Sequence, residues 1–321
     1  MAEAPGTPPG RRRRPQSREE FEANLHELEA RARATNERIN RRSGRNLASA
    51  VLVGLLFGAV VISSLIIVKG LFALVGIGLV TITSFELAGA LRSAGRDVPR
   101  TPLLLTGLAI VPLAYLGVPA LGISRDTGHW LGLLGGVVLV TLWRLIELIA
   151  PEHRVRAGDI AKDLLAGVFV LVYVIFLGSF AVLMTAHERG QWWTLGFLIV
   201  VVATDTGAYA TGLALGRHKM APLISPGKTW EGFAGSLLAA VVAGVLVAWL
   251  MLEQPWWIGI PFGLTLALSG TAGDLSESLL KRDLGVKDIS DWLPGHGGLL
   301  DRLDSTLLSA PVAYALLLIF T

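Results

Sequence analysis

From position 47 onward the chain is a series of long apolar runs separated by short polar breaks. Neither the alternation of a half-buried strand nor the single stripe of a soluble helix organises it. A helix needs about 20 apolar residues to cross roughly 30 Å of hydrocarbon. Nine runs approach that length: 47–68, 70–91, 102–119, 129–150, 164–185, 192–215, 232–252, 257–277 and 304–320. The third contains Pro102, Pro112 and Pro119 and is expected to be the least regular. Residues 1–16 are rich in Pro, Gly and Arg, cannot bury a core and are expected to be disordered. They are not a signal peptide, since no apolar stretch follows within reach. Helix is expected from Ser17, where Ser17 and Glu20 have capping-box spacing. Glu27/Arg31, Glu29/Arg33 and Glu37/Arg41 then lie four apart. Its thin apolar stripe (Phe21, Leu25, Leu28, Ile39) fits a solvated cytoplasmic helix or one lying on the membrane surface.

Composition agrees with the pattern. Of 321 residues, 52% are hydrophobic and 17% charged, against about 25% charged in soluble domains. There is too little charge to clothe a soluble surface. The absence of Cys excludes disulfide scaffolds, thiolate metal sites and cysteine nucleophiles. Charge placement then orients the chain. With the N-terminus in the cytoplasm, the inner segments are 1–46, 92–101, 151–163, 216–231 and 278–303, and they hold 24 of the 28 Lys and Arg residues. The outer loops hold only Lys69, Arg125 and Arg189, the bias of the positive-inside rule. The expected fold is an all-α polytopic integral membrane protein with about nine transmembrane helices, N-terminus inside and C-terminus outside. It divides into a basic arm (1–46), a variable transmembrane half (47–191) and a C-terminal half carrying the chemistry (192–321). The arm's net +4 points to anionic lipid, not nucleic acid, as its partner. Few Lys (six) against 22 Arg suggests a high-GC bacterial gene.

Two cytoplasmic loops stand apart. Around 216–231 lie Asp205, Tyr209, Ser225, Lys228 and Glu231; around 278–303 lie Asp274, Ser278, Lys281, Arg282, Lys287, Asp288, His296, Asp301, Arg302 and Asp304. A loop that merely obeyed the charge rule would not need five Asp between 278 and 304. Carboxylates beside Lys and Arg suit a hard divalent cation together with polyphosphate. Gly295, Gly297 and Gly298 flank His296 and allow close backbone approach or positive φ. Asp205 lies within an apolar run, where a carboxylate is costly unless paired or metal-bound. Plainer readings exist for each: a structural hydrogen bond for Asp205, an N-terminal helix charge pair for Asp301 and Asp304, a turn residue for His296. Arg144 and Glu147, three apart in the fourth run, are expected to pair structurally, and Glu86 reads either way. The pairs Trp192–Trp193 and Trp256–Trp257 are expected in the outer interfacial belt.

Ser278-Leu-Leu-Lys281-Arg282, four residues, then Lys287-Asp288-Ile-Ser-Asp-Trp-Leu-Pro-Gly-His296-Gly-Gly-Leu-Leu-Asp301-Arg302-Leu-Asp304 resembles, over 27 positions, the signature of the phosphatidate cytidylyltransferase (CDP-diacylglycerol synthase) family. The upstream D-x-x-A-Y-x-x-G and S-P-x-K-T-x-E-G segments resemble the same family, with one departure: Gly227 stands where a first Lys is common. The resemblance covers roughly 200–321. It implies the reaction of CTP with phosphatidate to give CDP-diacylglycerol and pyrophosphate at the cytoplasmic face of a bacterial inner membrane, and it also implies a homodimer. Mg²⁺ would be held by Asp274 and Asp301, with Asp205 and Asp304 as further carboxylates, and a second cation such as K⁺ near the lipid head group. Lys228, Lys281, Arg282, Lys287 and Arg302 would neutralise phosphates, Asp288 would orient Lys287, and Ser225, Tyr209, Ser278, His296, Gly297 and Gly298 would line the substrates. The reading from another class is a secondary transporter with Asp205, Glu86 and Arg144/Glu147 as its path. The clustering of charge at one face argues against it, since transporter sites lie near the midplane.

Overall fold

The computed structural model describes residues 47–149, 157–290 and 297–321, with side chains described for 54–147, 158–290 and 297–321. The expected helix from Ser17 and the position of His296 lie outside these residues. Each of the nine apolar runs falls on helix: α1 (Leu47–Ile67), α2 (Lys69–Ser93), α3 (Arg100–Leu116), α4 (Arg125–Ile149), α5 (Ala157–Val170) continuing through a π-helical stretch (Leu171–Phe176) into α6 (Leu177–Ala186), α7 (Gly190–Leu215), α8 (Trp230–Leu250), α9 (Gly259–Asp283) and α10 (Leu300–Phe320). Among the described residues, seven helices are long and apolar enough to cross a membrane; Gly54–Ile67 and Arg100–Leu116 are shorter apolar helices. The chain is an all-α polytopic membrane protein. Large apolar side chains such as Leu74, Leu134, Leu238 and Ile319 stand more than 60% exposed on its outside, a surface suited to lipid and not to water.

Local chemistry explains the boundaries. Pro112 lies within α3, and the helix stops at Gly117, whose φ of 65° few other residues adopt. A small antiparallel hairpin, β1 (Lys219–Ala221) with β2 (Ser225–Thr229), occupies the loop after α7, an addition to the expected all-helical plan. Thr229 ends β2 and caps α8 by accepting the Gly232 N–H at 3.1 Å. The loop expected over 278–303 is shorter than the sequence pattern suggested. Helix α9 runs on to Asp283 and α10 begins at Leu300, so Ser278, Lys281, Arg282 and Asp301 are helical.

Residues 55–321 form one compact unit. Helices α7, α8, α9 and α10 pack successively, and α10 also lies against α6. Small residues let these backbones approach, as is usual where helices associate in lipid. The closest case for the site is Gly273 of α9, where a Cβ would sit 2.4 Å from the Asp304 carbonyl oxygen of α10.

Two further expectations are sharpened. Trp256 and Trp257 are exposed, but Trp193 is only 2% exposed and meets Phe262 edge-on at 5.7 Å, so it belongs to the core and not to an interfacial belt. Helix α7 turns that indole towards α9, a choice that an isolated Trp-Trp string cannot reveal. The expected Arg144–Glu147 pair is present at 2.9 Å, and Arg144 also holds Asp163 at 2.5 Å and Asp97 at 2.8 Å. This 2% exposed guanidinium therefore ties α4 to α5 and to the α2–α3 connection.

Candidate active site

Helices α7, α9 and α10, the start of α8 and the strand β2 line a cavity of about 350 Å³. Asp205 and Tyr209 of α7, Lys228 of β2, Asp274 of α9, and Asp301 and Asp304 of α10 line it together. Four carboxylates separated by up to about a hundred positions in the sequence thus face one space. The hairpin brings in the balancing charge: Lys228 Nζ lies 2.7 Å from Asp274 Oδ2 and 3.5 Å from the Thr271 carbonyl oxygen. Ser278, one turn further along α9, donates to Asp274 Oδ1 at 3.3 Å.

Asp301 is the most fully engaged of the four. Lys281 Nζ approaches its Oδ1 at 2.9 Å, while the Gly298 and Ile289 N–H groups donate to Oδ2 at 2.8 and 3.3 Å. The Gly298 bond runs back three residues, the reciprocal contact by which an acidic residue in a first helical turn satisfies an otherwise orphaned N–H. Gly297, at φ 76°, takes the left-handed conformation that lets the chain enter this turn. A Cβ there would stand 3.0 Å from Asp301 Oδ2 and 3.2 Å from Asp288 Oδ1. Asp304, one turn on from Asp301, accepts the Ser305 N–H at 2.6 Å. The i,i+3 spacing of Asp301 and Asp304 therefore does place both on the cavity side of one helix.

The remaining candidates lie around this centre. Arg282 donates through Nε to the Ile224 carbonyl at 3.2 Å, so it holds the hairpin against α9 and does not line the cavity. Ser225 opens β2, and Lys287 is exposed in the connection after α9. Asp288 lies close to Gly297, and Arg302 is exposed on the first turn of α10. None of these four lines the cavity.

Two carboxylates acquire places that the sequence did not assign. Glu277 is fully buried; Lys281 Nζ is 3.3 Å from its Oε1, yet neither carboxylate oxygen has a hydrogen-bond donor in bonding geometry. Its i,i+4 spacing to Lys281 was the available signal. Glu86 of α2 reaches the start of α10, accepting from Ser290 Oγ at 2.7 Å. Those partners lie more than 200 positions away, and no local pattern announces them.

Oxygen donors without competing thiolates are the chemistry of a hard cation. Among the described residues, no three Asp, Glu or His side chains converge as a complete metal site. Mg²⁺ commonly takes only one or two protein carboxylates and completes its shell with water and substrate phosphates. The cavity's four carboxylates, with a buried and unsatisfied Glu277 behind them, fit such a partly protein-bound ion.

Residues 48–320 match the model of the cytidylyltransferase family. The chain is 37% identical over 284 residues to a phosphatidate cytidylyltransferase of Mycobacterium leprae, an alignment covering 86% of this chain and 89% of the relative. It is 38% identical over 281 residues to the protein of that name from Mycobacterium tuberculosis H37Rv, covering 86% and 84% respectively. A Staphylococcus aureus phosphatidate cytidylyltransferase is 40% identical over 210 residues, covering 64% of this chain and 78% of the relative. The match takes in every described helix of the cavity, and the chain belongs to the cytidylyltransferase family.

Proposed function

We propose that this protein transfers a cytidylyl group from CTP to phosphatidate, releasing pyrophosphate and forming CDP-diacylglycerol. The observation that carries the reading is the single cavity in which Asp205, Asp274, Asp301 and Asp304 face Lys228 at the ends of membrane helices. The family and the names of its relatives supply the substrates. An oxygen of the phosphatidate phosphate attacks the α-phosphorus of CTP. The bond from that phosphorus to the bridging oxygen breaks, and pyrophosphate leaves with the bonding electron pair. A phosphate monoester is largely ionised at neutral pH, so the nucleophile needs no side-chain base. What the protein must supply is alignment and neutralisation of charge.

Lys228 is well placed for the second task, because its ammonium can exchange Asp274 for an entering phosphate oxygen. Lys281 holds Asp301 in a fixed orientation. Arg282, Lys287 and Arg302 would add positive charge for the substrate phosphates, and Asp288 lies beside Gly297 ahead of α10. Tyr209, which lines the cavity, and Ser225, Ser278 and His296 would contact the substrates. Asp274 and Asp301 would hold Mg²⁺, with Asp205 and Asp304 as further carboxylates and K⁺ as a second cation at the lipid head group. The ion would screen the triphosphate and polarise the reacting phosphoryl group. The nine-span topology, with the cavity on the cytoplasmic side of a bacterial inner membrane, is supported by the concentration of 24 of the 28 basic residues in alternate segments. The homodimer belongs to the same reading and is testable by cross-linking in the membrane.

The test is pyrophosphate release by detergent-purified protein given CTP, phosphatidate and Mg²⁺, with each left out in turn. Release that requires all three supports the reading. Release without phosphatidate, or none with any lipid phosphate, contradicts it.

A further inference from the structure

We infer that Glu86, from the N-terminal half of the chain, is a positioning residue for the catalytic carboxylates of α10. The inference rests on the cytidylyltransferase reading and adds a residue to it. Glu86 is 9% exposed, within a helix otherwise lined by Leu87, Ala88 and Leu91. Its Oε1 accepts the Ser290 hydroxyl at 2.7 Å and the Leu299 N–H at 3.0 Å, and its Oε2 accepts the Leu300 N–H at 2.8 Å. Both oxygens are therefore committed to the segment that carries the site. An intramembrane path for a transported ion would need them available.

The geometry is that of a helix cap supplied from another helix. The first N–H groups of a helix have no partner within it, and an anion beside them is favoured by their aligned dipoles. At the start of α10 the Gly298 N–H goes to Asp301, while those of Leu299 and Leu300 go to Glu86. One carboxylate belongs to the site and the other holds the same turn from behind. Gly298 leaves room for this arrangement, since a Cβ there would stand 3.1 Å from both Glu86 Oε2 and Asp301 Oδ2. Glu86 also joins Ser290 to Leu300 at the start of α10. It thereby fixes where Asp301 and Asp304 begin. A displacement of catalytic groups by about 1 Å can cost on the order of 10²-fold in rate.

Glu86→Gln keeps the shape but replaces one acceptor oxygen with an NH₂ that must face an N–H or hydroxyl donor. The experiment compares this variant and Glu86→Asp with the wild type. It measures kcat and KM for CTP per folded enzyme, and hydrogen–deuterium exchange by mass spectrometry. The expected result for Glu86→Gln is a fall in kcat of about tenfold or more with KM within about threefold, the mark of an interaction expressed in the transition state. Exchange should quicken in peptides covering 297–304 and not in α8. Glu86→Asp retains the charge and should keep more of kcat than the Gln variant; it also serves as the test if the Gln variant does not fold. Wild-type kcat in Glu86→Gln would overturn the inference, as would activity that falls only with the folded fraction while exchange rises throughout. Failure of the cytidylyltransferase reading is separate: the wild type would then have no turnover, whereas failure of this inference leaves wild-type turnover intact.

Discussion

Asp301 receives one ammonium and two backbone N–H groups, so its two oxygens act purely as acceptors. In Asp301→Asn an amide NH₂ must face either Lys281 or the Gly298 and Ile289 donors. Turnover is expected to fall by about 10²-fold or more, with membrane insertion and detergent-solubilised size unchanged; an activity assay beside size-exclusion chromatography checks both. Lys281 lies between Asp301 and the fully buried Glu277. Lys281→Met removes the cation from a carboxylate pair and is expected to destabilise the fold by about 3 kcal/mol or more. The double variant with Glu277→Gln should regain much of the melting temperature but not the activity. Recovery of activity would show that Lys281 serves stability alone. At this scale the sequence displayed the chemistry clearly, because Asp274, Lys281, Asp301 and Asp304 stand in one readable stretch. It left Glu86 open between a structural and a functional role, because its donors Ser290, Leu299 and Leu300 reach it only through tertiary packing.

Hydrophobic run length specifies helices well in a membrane, since every backbone polar group must be satisfied within the segment. All nine runs are accordingly helical. Run length says little about how far a helix continues past the apolar stretch, so α9 carries Lys281 and Arg282 beyond the run that ended at 277. It is equally silent on a three-residue strand pairing with a five-residue one, which is how the hairpin bearing Lys228 escaped notice. The close crossing of α9 and α10 gives a prediction of its own. Gly273→Ala places a methyl 2.4 Å from the Asp304 carbonyl oxygen, a backbone atom that only a shift of α10 can relieve. Overpacking of this kind costs about 1–3 kcal/mol. Activity should fall more steeply than the melting temperature indicates, because Asp304 moves with its helix. Parallel thermal-shift and activity measurements on this variant distinguish that outcome from simple unfolding.

The whole molecule joins two kinds of construction. In the N-terminal half, Arg144 gathers Asp97, Glu147 and Asp163 at the ends of α2, α4 and α5, away from the cavity. Arg144→Met is expected to lower the melting temperature strongly, since it leaves Asp163 buried without its cation, and to spare kcat per folded enzyme. The cysteine-free sequence also allows a direct test of orientation. Leu223, 90% exposed at the hairpin tip, and Glu253, beyond the other end of α8, can each be replaced by Cys. A membrane-impermeant maleimide should label Glu253→Cys in intact cells and Leu223→Cys only after the membrane is opened. The reverse pattern would turn the molecule over.

Cytidylyl transfer is tested most directly by following the phosphorus of CTP. With unlabelled phosphatidate, CTP labelled at the α-phosphorus should pass its label into the lipid phase in step with pyrophosphate release. CTP labelled at the γ-phosphorus should leave all its label in water. Asp301→Asn should slow the first transfer by about 10²-fold or more under the same conditions. Appearance of γ-label in lipid, or pyrophosphate release with no α-label in lipid, would contradict the proposed attack of phosphatidate on the α-phosphorus.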